Sequence, residues 1–270
     1  MDTVHHAAPA PPIRLATWIR HPVTTVLSAW RAIHDSREPA ALRGPVDARV
    51  IGGLLLATVV LAVNSVMFGR ENVRRFFMHV AIVPFPFKEL AADGGWAFAR
   101  FVTLGVVPMV YARAIGLPLR ALGLQSPDTR AEARTAGALF AGLAPFLLIA
   151  ATTPQFQQKY PLYALAGRSA LDFVGWEILY ALQFFGIELF YRGFLLELLR
   201  PACGVYAIFV ATIPYCMVHF GKPPLEVFAS IAAGLILGTL AIRRRSVFPG
   251  LALHLLAAIG MDTLAILLKR

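Results

Sequence analysis

The stretch Leu171–Leu199, LDFVGWEILYALQFFGIELFYRGFLLELL, decides how this chain folds. It is an apolar run longer than the roughly 20 residues that cross a bilayer as a helix. Yet it carries Glu188 and Arg192, four positions apart. Four residues are just over one helical turn, so the two side chains share a face. In hydrocarbon that geometry makes an ion pair, and an ionisable side chain inside a span is by default a candidate functional site.

Working outward, similar runs recur on both sides. Val50–Phe68, Trp96–Ala112 and Thr135–Ala151 precede it; Ala202–Phe220, Leu225–Ile242 and Val247–Leu268 follow. Phe76–Phe87 is apolar but short and holds Pro84 and Pro86, so it reads as interfacial or as a poorly formed span. The fold class is therefore all-α: a polytopic transmembrane helical bundle of about seven to eight spans. Composition agrees, with 58% hydrophobic and only 15% charged residues, against about 25% charged in an ordinary soluble domain. No period of 20 to 50 residues repeats, which excludes a solenoid.

The net charge is +10, but the arginines lie between apolar runs and in the N-terminal arm. That placement sets topology and meets anionic lipid; it does not make a nucleic-acid surface. The basic stretches Arg113–Arg134, Arg200 and Arg243–Arg245 fall with the N-terminal arm on one side if spans alternate, which predicts a cytoplasmic N-terminus in a bacterial inner membrane. Arg70, Arg74 and Arg75 fall on the wrong side in this scheme. Residues 1–45 read as a cytoplasmic arm in which Ile13–Ile33 forms an amphipathic interfacial helix broken near Pro22, and residues 46–270 as the bundle. Met1–Pro12 lacks the pattern of a secretory signal. Cys203 and Cys216, thirteen apart in one apolar run, have neither disulfide nor metal spacing and read as packing residues. Ser230, Gly234 and Gly238, spaced by four, read as a small-residue face for helix contact. Ala92-Asp93-Gly94-Gly95 reads as a loop.

The chemistry concentrates in the last third. His219 closes the run that holds Pro214, and Glu226 follows seven positions later beyond Pro223 and Pro224. A histidine beside a buried carboxylate is a candidate base or electrostatic stabiliser. His254 and Asp262, eight apart, share a face of the last span. At 1.5 Å per residue, Glu188 lies about 16 Å from Leu199, His254 about 12 Å from Ser246, and His219 roughly 20 to 25 Å from the same side. One polar cluster near mid-membrane follows. Glu188, His219 and His254 are also a donor set that zinc accepts, although no His-Glu-x-x-His is present; a metal-free water-activating glutamate fits the residues slightly better.

Glu188 with Arg192, then Tyr215 with His219, then His254, resemble in order the motifs of the CAAX protease and bacteriocin-processing (CPBP) family of intramembrane proteases. Those motifs are Glu-Glu-x-x-x-Arg, Phe-x-x-x-His and His-x-x-x-Asn or Asp. The resemblance spans about 170–265. It implies an intramembrane endopeptidase acting on a membrane-delivered peptide or a prenylated protein. Two departures stand out: the family's first glutamate falls at Ile187, and its final Asn or Asp at Ala258. In the mechanism the resemblance implies, Glu188 and His219 activate a water. Arg192 keeps Glu188 ionised. His254, held by Asp262, stabilises the oxyanion, and Glu226 is a replacement acid near His219. Two other readings remain: a catalytically silent protein of this fold that binds a partner or peptide, and a small proton-coupled transporter, against which the lack of an internal repeat counts. No Gly-x-Ser-x-Gly nucleophile is present.

Overall fold

In the computed structural model, residues 22–35, 47–79, 87–126 and 128–269 are described. They form helices without strands: α1 (Pro22–Asp35), α2 (Ala48–Val66), α3 (Arg70–His79), α4 (Lys88–Ala114), α5 (Thr129–Ala151), α6 (Pro154–Lys159), α7 (Ala170–Cys203), α8 (Tyr206–Met217), α9 (Pro224–Arg244) and α10 (Phe248–Leu268). Six of these, α2, α4, α5, α7, α9 and α10, are long and apolar enough to cross a membrane, and α8 is a shorter apolar helix. This is the helical polytopic bundle read from the sequence.

The apolar run Leu171–Leu199 becomes α7, the centre of the bundle. Half of its most apolar stretch is buried, against 11% in α5 and 17% in α2 and α10. It packs on α4, α10, α8 and α9. Ser169 starts it by accepting from the Asp172 backbone N–H, a side-chain cap for an otherwise unpaired donor. Asp172 is in turn held by Arg168 at 2.7 Å and by the Tyr163 hydroxyl at 2.8 Å. Where α4 crosses α7, a side chain at Gly105 would meet the Gly186 Cα at 3.4 Å. The face of Ser230, Gly234 and Gly238 packs α9 on α8, with a Cβ at Gly234 only 2.6 Å from Thr212.

Three points follow. First, Pro22–Asp35 is helical, with the proline in a first helical turn, where its missing N–H is unpaired anyway. It buries Ala29 and Ile33, and Trp30 Nε1 donates to Thr239 Oγ1 of α9 at 2.9 Å. The earlier part of the expected helix, residues 13–21, lies outside the described residues. Second, Ala92–Gly95 is not a loop but lies inside α4, with Asp93 fully buried. Third, the arginines on the unexpected side have acid partners. Asp93 accepts from Arg70 at 2.8 Å and from Arg74 at 3.1 Å, and Arg75 pairs with Glu71 at 3.1 Å, so two acids face the three positive charges, one of them in a segment expected to be a loop. Residues 80–86, the rest of the short apolar segment, lie outside the described residues.

The helix ends sort onto two faces. On one, the Tyr111 hydroxyl donates to the Arg49 carbonyl, and Val247 N–H donates to the Gly123 carbonyl at 3.1 Å. On the other, Arg70 donates to the Leu162 carbonyl and Lys159 to the Gly221 carbonyl.

Candidate active site

The site grows from one row of side chains on α7. Trp176, Tyr180, Phe184, Glu188 and Arg192 follow each other at four-residue steps, so they line one stripe of the helix. The first three rings stack upward, with centroids 4.8 Å and 4.4 Å apart. The antiparallel α10 meets this stripe at two points. Trp176 Nε1 donates to Asp262 Oδ2 at 2.8 Å. Eight residues on, Phe184 stacks flat on the His254 ring, 5.1 Å away and 8° from parallel. The eight-residue spacing of His254 and Asp262 thus matches the eight-residue spacing of Trp176 and Phe184.

Glu188, fully buried, is the next rung. Its Oε1 lies 3.0 Å from His254 Nδ1 and 3.5 Å from Arg192 Nη1. The approach to Nδ1 is close but off the N–H axis, as catalytic contacts often are before substrate tightens them. Gly250, one turn before His254, leaves the space: a Cβ there would overlap Glu188 Oε2. The helical turn at Leu189–Leu195 is widened to a π-helix, a feature frequent at functional sites. Arg192 projects from it with its guanidinium carbon 3.8 Å from the centre of the Tyr215 ring.

Tyr215 joins the two histidines. Its hydroxyl lies 3.0 Å from His254 Nε2. Its carbonyl is 2.8 Å from His219 Nδ1. A carbonyl only accepts, so His219 Nδ1 carries the hydrogen, and in the neutral ring Nε2 holds the free lone pair. Pro214 sits one turn upstream, and the helix ends at Met217, which frees His219 to turn toward α10.

His219, Tyr215 and His254 line a cavity of about 340 Å³, walled mainly by apolar side chains of α5, α9 and α10. Lys222 and Glu226 stand on its wall as well. Glu188 does not reach it. Glu226 is occupied at both oxygens, by Lys222 Nζ at 2.5 Å and by the Tyr160 hydroxyl at 2.6 Å. Burial, with the Glu226 carboxylate beside it, holds the Tyr160 phenol well above its usual pKa, so Tyr160 stays protonated and donates.

The structure therefore brings together Glu188, Arg192, His254 and, through Tyr215, His219. It places Asp262 elsewhere. Its oxygens accept from Trp176 and from the Leu162 backbone N–H at 3.2 Å, not from His254, because the antiparallel packing of α7 and α10 puts it two turns below the histidine. Ile187 and Ala258, at the positions of the family's missing polar groups, are buried apolar residues. Sequence reasoning named Tyr215 only as a motif position and did not use its hydroxyl. Trp176 and Phe184 were legible as an aromatic row in step with Glu188. Tyr160, 66 positions from Glu226, left no local signal.

Among the described residues, no three His, Cys, Asp or Glu side chains converge as metal ligands. Glu188 and His254 meet, but His219 Nδ1 is taken by the Tyr215 carbonyl at 2.8 Å. The residues do not fit the zinc set considered from the sequence.

No curated protein and no solved structure matches the chain significantly. Residues 169–259, about a third of the chain, match the family model described as Type II CAAX prenyl endopeptidase Rce1-like. That segment includes Glu188, Arg192, His219, Glu226 and His254, with Tyr215 between them, and over it the chain is similar to the type II CAAX prenyl endopeptidases.

Proposed function

We propose that this chain hydrolyses a peptide bond within the membrane, with His219 as the base and a His254–Tyr215 pair, buttressed by Glu188, as the oxyanion site. The observation that carries the reading is that both histidines line one cavity, each fixed at Nδ1 by a different partner. His219 Nε2 takes the proton of a water, and the resulting hydroxide attacks the peptide carbonyl. The Tyr215 hydroxyl, poised on His254 Nε2, turns its one proton from the imidazole to the oxygen that becomes negative; such a donor is commonly worth several kcal/mol in the transition state. The proton on His219 then passes to the leaving amine, completing hydrolysis. Arg192 offsets the charge of Glu188, a carboxylate that burial alone would disfavour.

This changes the role first given to Glu188. With no exposure to the cavity, it serves His254 instead of activating water with His219. It also accounts for Ala258: the family's partner for the last histidine is absent, and the Tyr215 hydroxyl, which the family's phenylalanine lacks, occupies the imidazole. Glu226, tied to Lys222 and Tyr160, shapes the mouth of the cavity. The apolar walls suit a peptide delivered on a lipid or as a membrane segment, and a prenylated protein belongs to that class. The basic face of the bundle is cytoplasmic by the positive-inside rule. The test is cleavage of a membrane-anchored peptide by the purified full chain, with His219→Ala and His254→Ala as variants. Loss of cleavage in both supports the proposal. Binding without cleavage by the wild-type chain favours the silent reading, to which Ile187 lends weight.

A further inference from the structure

On the opposite face of the bundle lies a second cavity, of about 400 Å³, into which Arg120, Arg192, Arg200 and Arg245 project together with Gln125 and Glu197. Glu197 pairs with Arg200 at 3.1 Å. Arg192 has Glu188 at 3.5 Å, so two carboxylates stand against four guanidinium groups. Arg120 and Arg245 are exposed. Arg192 is not: it is 5% exposed, and neither terminal nitrogen has a hydrogen-bond partner among the described residues. A buried guanidinium with unused N–H groups on a cavity wall is a costly arrangement unless something supplies acceptors. The cavity is also built: the Gly123 and Val247 backbones are joined across it, Gln125 Nε2 donates to the Arg245 carbonyl at 3.3 Å, and Arg245 takes the left-handed backbone (φ 50°) that non-glycine residues seldom adopt.

We propose that this cavity binds a phosphate-bearing group. A carboxylate would balance only one of the unpaired positive charges. A phosphate carries up to two charges and offers several oxygens to planar guanidinium forks, the geometry in which arginine excels. The cavity opens among the arginine-bearing ends of α7 and α9, where headgroup phosphates meet a membrane protein; a soluble phosphate compound presents the same chemistry. The site shares no lining residue with the His219 cavity and adjoins it only where Arg192 stacks on Tyr215, so it stands whether or not the chain cleaves peptides.

Two binding measurements on the purified full chain distinguish the sources. Calorimetric titration with pyrophosphate at fixed ionic strength reads a soluble ligand. Native mass spectrometry after exchange into mixed phosphatidylglycerol and phosphatidylcholine reads a retained headgroup. Saturable binding in either, weakened at least about tenfold by Arg120→Gln with Arg245→Gln and unchanged by Arg130→Gln, supports the site. Both residues of the double variant are exposed, and its melting temperature verifies folding. Binding in neither measurement overturns the proposal. So does an Arg130→Gln variant that loses as much affinity as the double variant, since that would make the effect a general property of a basic face.

Discussion

At the scale of single residues, the family's pattern is kept in spirit by a different set of atoms. The sequence displayed Glu188, Arg192, His219 and His254 because ionisable groups stand out against hydrocarbon, and their spacings placed them on shared helix faces. It did not display what each one touches, since that depends on which helices are neighbours. Tyr215 shows the difference: its place in the motif was readable, its hydroxyl 3.0 Å from His254 Nε2 was not. Tyr215→Phe restores the family's residue, yet it should lower turnover about 100-fold while leaving substrate affinity nearly unchanged, because the hydroxyl acts on the transition state. Steady-state kinetics separates the two effects. Asp262→Ala should behave in the opposite way. It strands the buried Trp176 and Leu162 donors and should cost about 2–4 kcal/mol of stability. Activity per folded molecule should be largely retained, as a denaturation curve paired with an active-fraction assay would show.

At the scale of elements, α7 and α10 carry the account. Their antiparallel contact is indexed by Trp176 against Asp262 and Phe184 against His254, and this register delivers Nδ1 to Glu188. The apolar runs were legible because length and hydropathy alone define a span, although α4 and α5 start at Lys88 and Thr129, ahead of the expected Trp96 and Thr135. The Asp93 segment was misread because glycines suggest turns in water, whereas in a bundle they permit close helix approach: Gly94 and Gly95 face Leu179 and Phe77. Gly250 is the element's sharpest test. Alanine is the better helix former, but its methyl would overlap Glu188 Oε2. Gly250→Ala should keep the helix, push Glu188 off His254 and reduce cleavage about 100-fold. Unchanged cleavage with a native melting temperature would remove Glu188 from the mechanism.

At the scale of the whole molecule, two cavities lie on opposite faces, one apolar with histidines and one lined by arginines. In the proposed orientation, which follows positive-inside sorting, the arginine face is cytoplasmic. Single cysteines at Arg130 and at Lys222, introduced after replacing Cys203 and Cys216, should react with a membrane-impermeant thiol reagent from opposite sides of intact cells, with position 222 labelled from outside. Labelling of position 130 from outside would invert the orientation.

The central claim is that Glu188 and the two histidines hydrolyse a peptide bond inside the bilayer. The most direct measurement is release of the C-terminal fragment of a lipid-anchored peptide by the purified chain in liposomes, comparing wild type, Glu188→Gln and His219→Ala. The account predicts cleavage by the wild type and a loss of about 1,000-fold or more in each variant, with native melting temperatures. Full activity in either variant, or no cleavage by a folded wild-type chain, would contradict it.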